Sequence, residues 1–462
     1  MLKVLRREPG FYRRLVLLAL PMVIQNLITT SLGFVDTFMV GLLGSNELSA
    51  VTAANTPSFL VQCCIFGLMS GLTVLVTQYW GHQDVESINR AMGVVLYIGT
   101  ALTTTVAVVL LFFSPQIMGI VTNNPLLIEL GAPYLKIVGI GYIFNTVSCV
   151  YVSVQRSTEN PSFGMKVFCS SMLLNTFLNY VFIFGNFGAP ALGVSGAALA
   201  TTISRMAEVA IVTVHAVRNR RVPVMPRFIL RPGTDMLRRT IRYSGPVMLN
   251  EMFWGTGTST ITAIMGHMAI SADMLAAHAI MGNIDKFATV ACFGLANAAS
   301  VMVGKRIGEG GAKEEVYQLA MCLLATAFLS GAIVSVLLAV LLPTVFIPIV
   351  YPLFHLSGQA ATIAATLCTV YLIVMPLRSF DITNVVGVLR AGGDTKVAAI
   401  LDLLPLWLVS IPCMALFALV LDAPIPLVCA ATQFESLIKM PVGLLRLRSR
   451  KWINDVTIGG DQ

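Results

Sequence analysis

Residues 218–242 read RNRRVPVMPRFILRPGTDMLRRTIR and contain eight arginines and three prolines. Long apolar runs fill the chain on both sides of this segment, over residues 1–217 and 243–462. Lys and Arg gather in the cytoplasmic loops of membrane proteins. We therefore predict that 218–242 is a cytoplasmic linker, with little helical structure, between two membrane-embedded halves. Contact with lipid headgroups is the alternative role for its arginines.

The composition of the whole chain agrees with membrane insertion. Of 462 residues, 56% are hydrophobic and 11% are charged, whereas about 25% are charged in soluble domains. These values exclude a soluble globular protein, a disordered chain and a nucleic-acid binder, although the net charge is +8. The basic start of the chain leads into an apolar run without a cleavage site, which predicts a first membrane helix rather than a signal peptide. The nine cysteines include no CxxC pair, so we expect neither a disulfide framework nor a metal cofactor.

The number of apolar runs predicts the fold. A membrane helix needs about 20 mostly apolar residues. The runs predict twelve transmembrane helices, at residues 15–41, 52–78, 91–113, 131–155, 164–184, 191–217, 243–268, 276–303, 316–341, 363–389, 396–420 and 424–446. We therefore expect an all-α polytopic membrane protein with two pseudo-symmetric six-helix bundles, in residues 1–217 and 243–462.

The positions of the basic residues predict the orientation. Of the 30 Lys and Arg, 25 lie before the first span, in the loops that follow even-numbered spans, or at the C-terminus. Arg390, which follows the tenth span, is counted among them. Because such residues mark the cytoplasmic side, both termini are expected to be cytoplasmic.

The two halves resemble each other in sequence. Pro21 aligns with Pro246, TVLVTQYWG at 73–81 with SVMVGKRIG at 300–308, and VQRSTENPS at 154–162 with VLRAGGDTK at 388–396. An even number of spans per copy gives both copies the same orientation. Transporters commonly use such repeats to build a central site that opens alternately to each side.

Carboxylates inside the predicted spans are candidate functional groups, because charge is costly in a bilayer. They are Asp36, Glu208, Glu251, Asp285, Asp381, Asp402 and Glu435. Helical spacing predicts structural pairs with basic residues: Arg205 with Glu208, Arg378 with Asp381, and Lys439 with Glu435. Asp36 and Glu251 have no local partner, and Asp285 lies beside Lys286 without a decided pairing.

In the first half, Asp36 lies at a depth similar to that of Asn179 on the fifth span. Asn175 and Asn179 are four residues apart and share a helix face. One carboxylate and two amides can coordinate a small hard cation through oxygen, and we predict a site for Na⁺ here. The alternative is that the asparagines act as interhelical hydrogen-bonding groups.

In the second half, Glu251, Asp381 and Asp402 lie at similar depths above the inner face. Trp254 is three residues from Glu251, and a carboxylate beside an aromatic ring suits an organic cation. These residues and Asp36 are the candidate substrate-binding groups. Pro21, Pro246 and Pro376 lie in the spans that carry Asp36, Glu251 and Asp381, where they permit either a static kink or a coupled bend.

Three longer stretches resemble the multidrug and toxic compound extrusion (MATE) transporters, and the NorM-type branch in particular. They are PMVIQNLITTSLGFVDTFMVGLLG at 21–44, LNTFLNYVFIFGNFGAPALGVSGAALATTISR at 174–205 and VVGVLRAGGDTK at 385–396. The resemblance covers nearly the whole chain. It implies two bundles around a central cavity and export of cationic, amphipathic drugs in exchange for inward Na⁺ or H⁺.

By motif, the resemblance assigns cation coupling to six residues: Asp36, Asn175, Asn179, Thr201, Glu251 and Asp381. Asn179 departs from the archaeal-type branch, which has Asp there, and this favours Na⁺ over H⁺ as the coupling ion. No other cofactor is expected. We expect a monomer in a bacterial inner membrane, with small cationic substrates and no nucleic-acid partner.

Three other functions are alternatives to the export of cationic drugs. A flippase for lipid-linked precursors shares the topology, but it should line its cavity with Arg and Lys. A membrane enzyme would need a nucleophile–base or metal constellation, and the five histidines are scattered, so we expect no enzyme. A sensor without transport remains the alternative of a different class.

Overall fold

The computed structural model describes residues 10–353 and 358–458, and long helices make up most of this part of the chain. The helices of the first half are α1 (Phe11–Gly41), α2 (Ser45–Gly81), α3 (Val85–Val121), α4 (Pro125–Ser157), α5 (Pro161–Phe184) and α6 (Val194–Arg218). Those of the second half are α7 (Thr234–Gly266), α8 (Ser271–Gly308), α9 (Lys313–Val350), α10 (Gly358–Leu389), α11 (Thr395–Val420), α12 (Ile425–Ala431) and α13 (Phe434–Arg448).

The helices confirm the all-α fold with twelve spans, the last of which is divided between α12 and α13. In the described residues, ten helices are long and apolar enough to cross a membrane. The two spans outside this set are α7, which carries three arginines in its first turns, and the interrupted pair α12–α13. Most helices extend several residues beyond the predicted apolar runs, because polar residues continue the helix past the hydrocarbon core.

The chain divides into two compact units. Within the described part of the chain, the first unit contains residues 20–248, and the second unit contains residues 10–19 together with 249–458. The divisions fall inside α1 and α7, close to Pro21 and Pro246. The two prolines that align in the sequence repeat therefore lie at equivalent positions, where each helix passes from one unit to the other.

The segment 218–242 differs from the predicted irregular linker. A short helix forms at Pro226–Leu230, and α7 already begins at Thr234. The acidic Asp235 lies in the first turn of α7, where it complements the helix dipole, and Met236 and Thr240 are buried. Burial of one face thus stabilises the first turns of α7, which the basic composition of this segment did not predict.

Candidate functional site

The first unit brings together Asp36 and three polar side chains from α5 and α6. Asn179 Nδ2 donates to Asp36 Oδ1 at 2.5 Å and to Asn175 Oδ1 at 3.1 Å. Asn175 Nδ2 donates to Thr201 Oγ1 at 3.2 Å. Both asparagines are buried, whereas Asp36 and Thr201 are partly exposed. We call Asp36, Asn175, Asn179 and Thr201 the first-half cluster; their predicted proximity is confirmed.

Local sequence explains how α5 and α6 present these groups. Helix α5 ends at Phe184 and is capped by Gly185, which adopts a left-handed conformation with φ of 74° that favours glycine. The chain returns at once, and Gly196 in α6 packs so tightly that a Cβ atom there would overlap with the carbonyl of Phe182. This close approach brings Thr201 beside Asn175.

One side-chain oxygen atom of the first-half cluster has no hydrogen-bond donor within the described part of the chain. Asn179 Oδ1 is buried and has no hydrogen-bond donor among the described residues. The Asn175 amide fits better in the other orientation, in which its Nδ2 donates to Asp36 Oδ1 at 2.7 Å and its Oδ1 accepts from the Thr201 hydroxyl at 3.2 Å. A buried amide oxygen without a donor is costly unless a cation or a water satisfies it.

A fixed ion pair lies next to the first-half cluster. Arg205 Nη1 is 2.7 Å from Glu208 Oε1, and Glu208 is fully buried. This confirms the predicted pairing on α6. Arg205 is four residues after Thr201 on the same face of α6, so this ion pair borders the first-half cluster.

In the second unit, Glu251 has no partner nearby in the sequence, as predicted, but it pairs with a basic residue that is distant in the chain. Glu251 Oε1 lies 2.7 Å from Arg390 Nη2, and the Arg390 side chain is only 2% exposed. Arg390 lies in the turn after α10, as the predicted spans place it, but its side chain is buried. The sequence could not reveal this pair, because the long arginine side chain reaches far from its Cα atom.

Two other ion pairs connect distant helices. Arg378 forms a two-pronged pair with Asp285, whose second contact measures 3.1 Å, so the predicted pairing of Arg378 with Asp381 is wrong. Lys439 Nζ lies 3.0 Å from Glu435, as predicted, and 2.8 Å from Asp402. Asp402 also accepts from Asn250 Nδ2 at 2.9 Å.

Asp381 is a buried carboxylate of the second unit that forms no ion pair with the described residues. It is 6% exposed, and neither oxygen has a well-oriented hydrogen-bond donor in the described parts of the chain, although Ser436 lies nearby. Thr383 and Asn384, two and three residues further along, also have buried side-chain atoms without hydrogen-bond partners among the described residues. All three lie where α10 changes to π-helical hydrogen bonding at Thr383–Leu389, a distortion often found at functional sites.

The remaining candidates have more ordinary surroundings. Trp254 packs against the hydrophobic core of the second unit. Asp402 is held by Lys439 and Asn250 rather than left open. Sequence reasoning missed Arg390, Asn250 and Asn384; the spacing of Asn384, three residues after Asp381 on one helix face, is the signal that could have found it.

The comparisons with known proteins agree with the repeat and the fold. The family model described as MatE matches the chain twice, over residues 21–181 and 246–416. The chain belongs to the MatE family. Both matches begin at the aligned prolines Pro21 and Pro246, so the internal duplication predicted from sequence is confirmed. Members of the MatE family are membrane transporters.

Curated relatives are similar over most of their length. The multidrug resistance protein MdtK of Edwardsiella ictaluri is 27% identical over 418 residues, which cover 88% of each chain. The uncharacterized transporter YisQ of Bacillus subtilis is 23% identical and is covered to 93%, against 94% of this chain. The probable multidrug resistance protein NorM of Thermotoga maritima is 26% identical over 67% of this chain and 66% of its own.

Solved structures share the fold at low identity. A MOP superfamily transporter from Pyrococcus furiosus superposes with a TM-score of 0.86 at 18% identity, over 99% of this chain and 98% of its own. The reversed polarity of the binding pocket in that transporter suggests that it has a different function. The MATE transporter VcmN of Vibrio cholerae in the bent form gives 0.83 at 21% identity, over 96% and 98%. These structures support the MatE fold of this chain.

Proposed function

We propose that this MatE-family chain is a secondary antiporter that exports cationic, amphipathic compounds in exchange for inward Na⁺, by alternating access between its two halves. The observation that carries the proposal is the first-half cluster, in which the only carboxylate is Asp36. Hard cations prefer carboxylate, amide and hydroxyl oxygens. The donor-free Asn179 Oδ1 and the Asp36 carboxylate offer such oxygens inside apolar helices.

A cationic substrate is supported by the charges of the second unit. The basic residues Arg378, Arg390 and Lys439 are each paired with carboxylates. Asp381 adds a further carboxylate that forms no ion pair within residues 10–353 and 358–458. Even with the exposed Lys286 of α8 counted, the basic residues are outnumbered by the carboxylates Glu251, Asp285, Asp381, Asp402 and Glu435. An interior with excess acid attracts cations rather than a diphosphate-linked lipid. Names of the relatives MdtK and NorM, which refer to multidrug resistance, support the same substrate class.

Na⁺ is favoured over H⁺ because the first-half cluster has one carboxylate and two amides. Amides supply oxygen ligands but do not exchange protons near neutral pH, so they suit a metal cation better than a proton relay. We further propose that the protein acts as a monomer in a bacterial inner membrane with both termini in the cytoplasm, because its basic residues gather at one side of the predicted topology.

The test is efflux of a cationic dye from proteoliposomes under separately imposed Na⁺ and H⁺ gradients. We expect an inward Na⁺ gradient to drive efflux, and Asp36→Asn to abolish it. Glu251→Gln should also abolish coupled efflux, and Asp381→Asn provides a second-half variant that breaks no ion pair. The control is Asp422→Asn, which removes the same charge from an exposed loop.

The outcomes separate the alternatives. Wild-type rates from both Asp36→Asn and Glu251→Gln would contradict the assigned coupling residues. Efflux driven by the H⁺ gradient alone would replace Na⁺ by H⁺. Absence of any dye transport by an inserted, folded protein would favour a sensor without transport.

A further inference from the structure

A cavity of about 450 Å³ lies in the first unit, where the segment 219–229 crosses α3, α4 and α6. Its walls are mainly apolar and include Met92, Leu96, Val147 and Val212. This volume is in the range of about 300–1,000 Å³ that is usual for small-molecule sites. The cavity is separate from the first-half cluster, whose residues do not line it.

Hydrogen bonds and close packing hold the segment 219–229 in place over this cavity. The buried Asn89 donates to the carbonyl of Pro223 at 3.1 Å and accepts from the backbone N–H of Met225 at 3.0 Å. The Tyr97 hydroxyl donates to the carbonyl of Leu230 at 3.3 Å. A Cβ atom on Gly93 would lie 2.5 Å from the carbonyl oxygen of Ile229. The segment therefore packs directly against α3 and forms one wall of the cavity.

Polar groups mark the end of the cavity where the segment begins. Asn219 Nδ2 donates to the Tyr151 hydroxyl at 3.4 Å, and that hydroxyl is 2.9 Å from His215 Nδ1. Asn219 Oδ1 also accepts from the backbone N–H of Arg221 at 3.0 Å. These bonds hold the first residues of the segment against α4 and α6, so the cavity has one polar end and otherwise apolar walls.

Two arginines are adjacent in sequence to residues that line the cavity. Arg218 follows Val217, and Arg227 follows Pro226; both Val217 and Pro226 line the cavity. Arg218 and Arg227 are exposed and form no ion pair with the described residues, whereas nearby Arg221 is paired with Glu159 at 3.6 Å. Two positive charges that form no ion pair in the described chain are thus each one residue away from the lining of a mainly apolar cavity.

We propose that this cavity binds an anionic phospholipid, with part of an acyl chain between α3 and α6 and the phosphate at Arg218 and Arg227. The charge of the flanking arginines is complementary to the phosphate, and basic pockets between membrane helices on the cytoplasmic side suit anionic headgroups. The Val217 side chain, which is 83% exposed, continues the apolar surface outward from the cavity. This site is independent of the proposed transport function.

The experiment measures binding of phosphatidylglycerol to the purified full-length protein by native mass spectrometry and by the rise in melting temperature. Phosphatidylcholine with the same acyl chains and inorganic phosphate are the comparison ligands. Removing the two charges in Arg218→Gln/Arg227→Gln should weaken phosphatidylglycerol binding by about fivefold per arginine, or about 25-fold in all. The matched control Arg238→Gln/Arg242→Gln removes two exposed charges that do not flank the cavity.

A second variant tests the apolar part of the site. Ala216 lines the cavity, and Ala216→Phe should reduce lipid binding while leaving every arginine in place; its melting temperature without lipid serves as the folding control. If this variant does not fold, the arginine pair decides alone. Equal weakening by the control pair, equal binding of phosphatidylcholine, or the full stabilisation from inorganic phosphate would each overturn the proposal.

Discussion

Arg390 and Glu251 are 139 positions apart in the chain, yet their side chains meet at 2.7 Å. The Arg390 side chain is 2% exposed and that of Glu251 is 13% exposed, so both charges are largely removed from solvent. Each therefore depends on the other for compensation. A buried pair contributes little net stability compared with apolar packing, but loss of one partner leaves an uncompensated charge.

We predict that Arg390→Gln destabilises the protein by about 3–5 kcal/mol, because Glu251 is then buried without its partner. Thermal unfolding of the purified protein in detergent measures the effect. The double variant Glu251→Gln/Arg390→Gln should recover a substantial part of the loss, since neither residue is then charged. Arg448→Gln, which removes an exposed arginine, is the control. A melting temperature of Arg390→Gln equal to that of the control would show that the pair is not needed.

The approach of α2 to α7 in the first unit depends on two glycines. Gly67 and Gly71 are four residues apart on one face of α2, and a Cβ atom on either would overlap with the backbone of α7, at Met248 and Ser244. Small residues at this spacing let membrane helices pack closely. We predict that Gly71→Ala lowers stability by about 1–3 kcal/mol, the usual cost of overpacking, measured by thermal unfolding.

Gly245 supplies the matched control for this prediction. It lies on α7, but a Cβ atom there would meet nothing within 4 Å. Because Ala favours a helix over Gly by about 1 kcal/mol, Gly245→Ala should leave stability unchanged or raise it. If both alanine variants shift the melting temperature in the same direction by similar amounts, close packing at Gly71 is not the cause.

The sequence was sufficient for features that depend on local pattern. The second span was predicted at 52–78 and forms Ser45–Gly81, because membrane insertion requires a long apolar run whatever its neighbours are. The contact of Asp36 with Asn179 followed from similar depth and from the shared face of Asn175 and Asn179. Such inferences need only the helix rise and period.

Long-range pairing was not accessible to the same reasoning. Arg378 has Asp381 three residues away but binds Asp285 on α8. Helical spacing shows which side chains share a face, whereas the orientation of that face is set by packing against other helices. The partners of Glu251 and Asp402 could not be predicted for the same reason, and these contacts determine which carboxylate is left without an ion pair.

Lys439 is the shared cation between two carboxylates, Asp402 at 2.8 Å and Glu435 at 3.0 Å. We predict that Lys439→Met destabilises the protein by about 3–5 kcal/mol, because two partly buried carboxylates, 19% and 16% exposed, then lose their common partner. Thermal unfolding measures the loss. Lys286→Met, which removes an exposed lysine from α8, should have a small effect. Similar losses from both variants would indicate a general requirement for positive charge rather than this bridge.

The C-terminal segment after α13 is fixed to the turn that follows α10. Trp452 is fully buried, and its Nε1 donates to the carbonyl of Leu447 at 3.1 Å. Two residues later, the backbone N–H of Asn454 donates to the carbonyl of Gly392 at 2.9 Å. Gly392 packs directly against Trp452, since a Cβ atom there would overlap with the indole ring. The segment is therefore part of the packed second unit.

We predict that Trp452→Ala destabilises the protein by about 3–5 kcal/mol, because it removes a large buried side chain and leaves a cavity. Thermal unfolding measures the loss, and limited proteolysis should show faster cleavage after α13. Ile458→Ala provides the control in the same segment, because Ile458 is 69% exposed and its truncation should change stability by no more than about 0.5 kcal/mol. Unchanged stability and cleavage in Trp452→Ala would mean that the segment detaches without loss to the second unit, and Gly392→Ala should then be equally harmless.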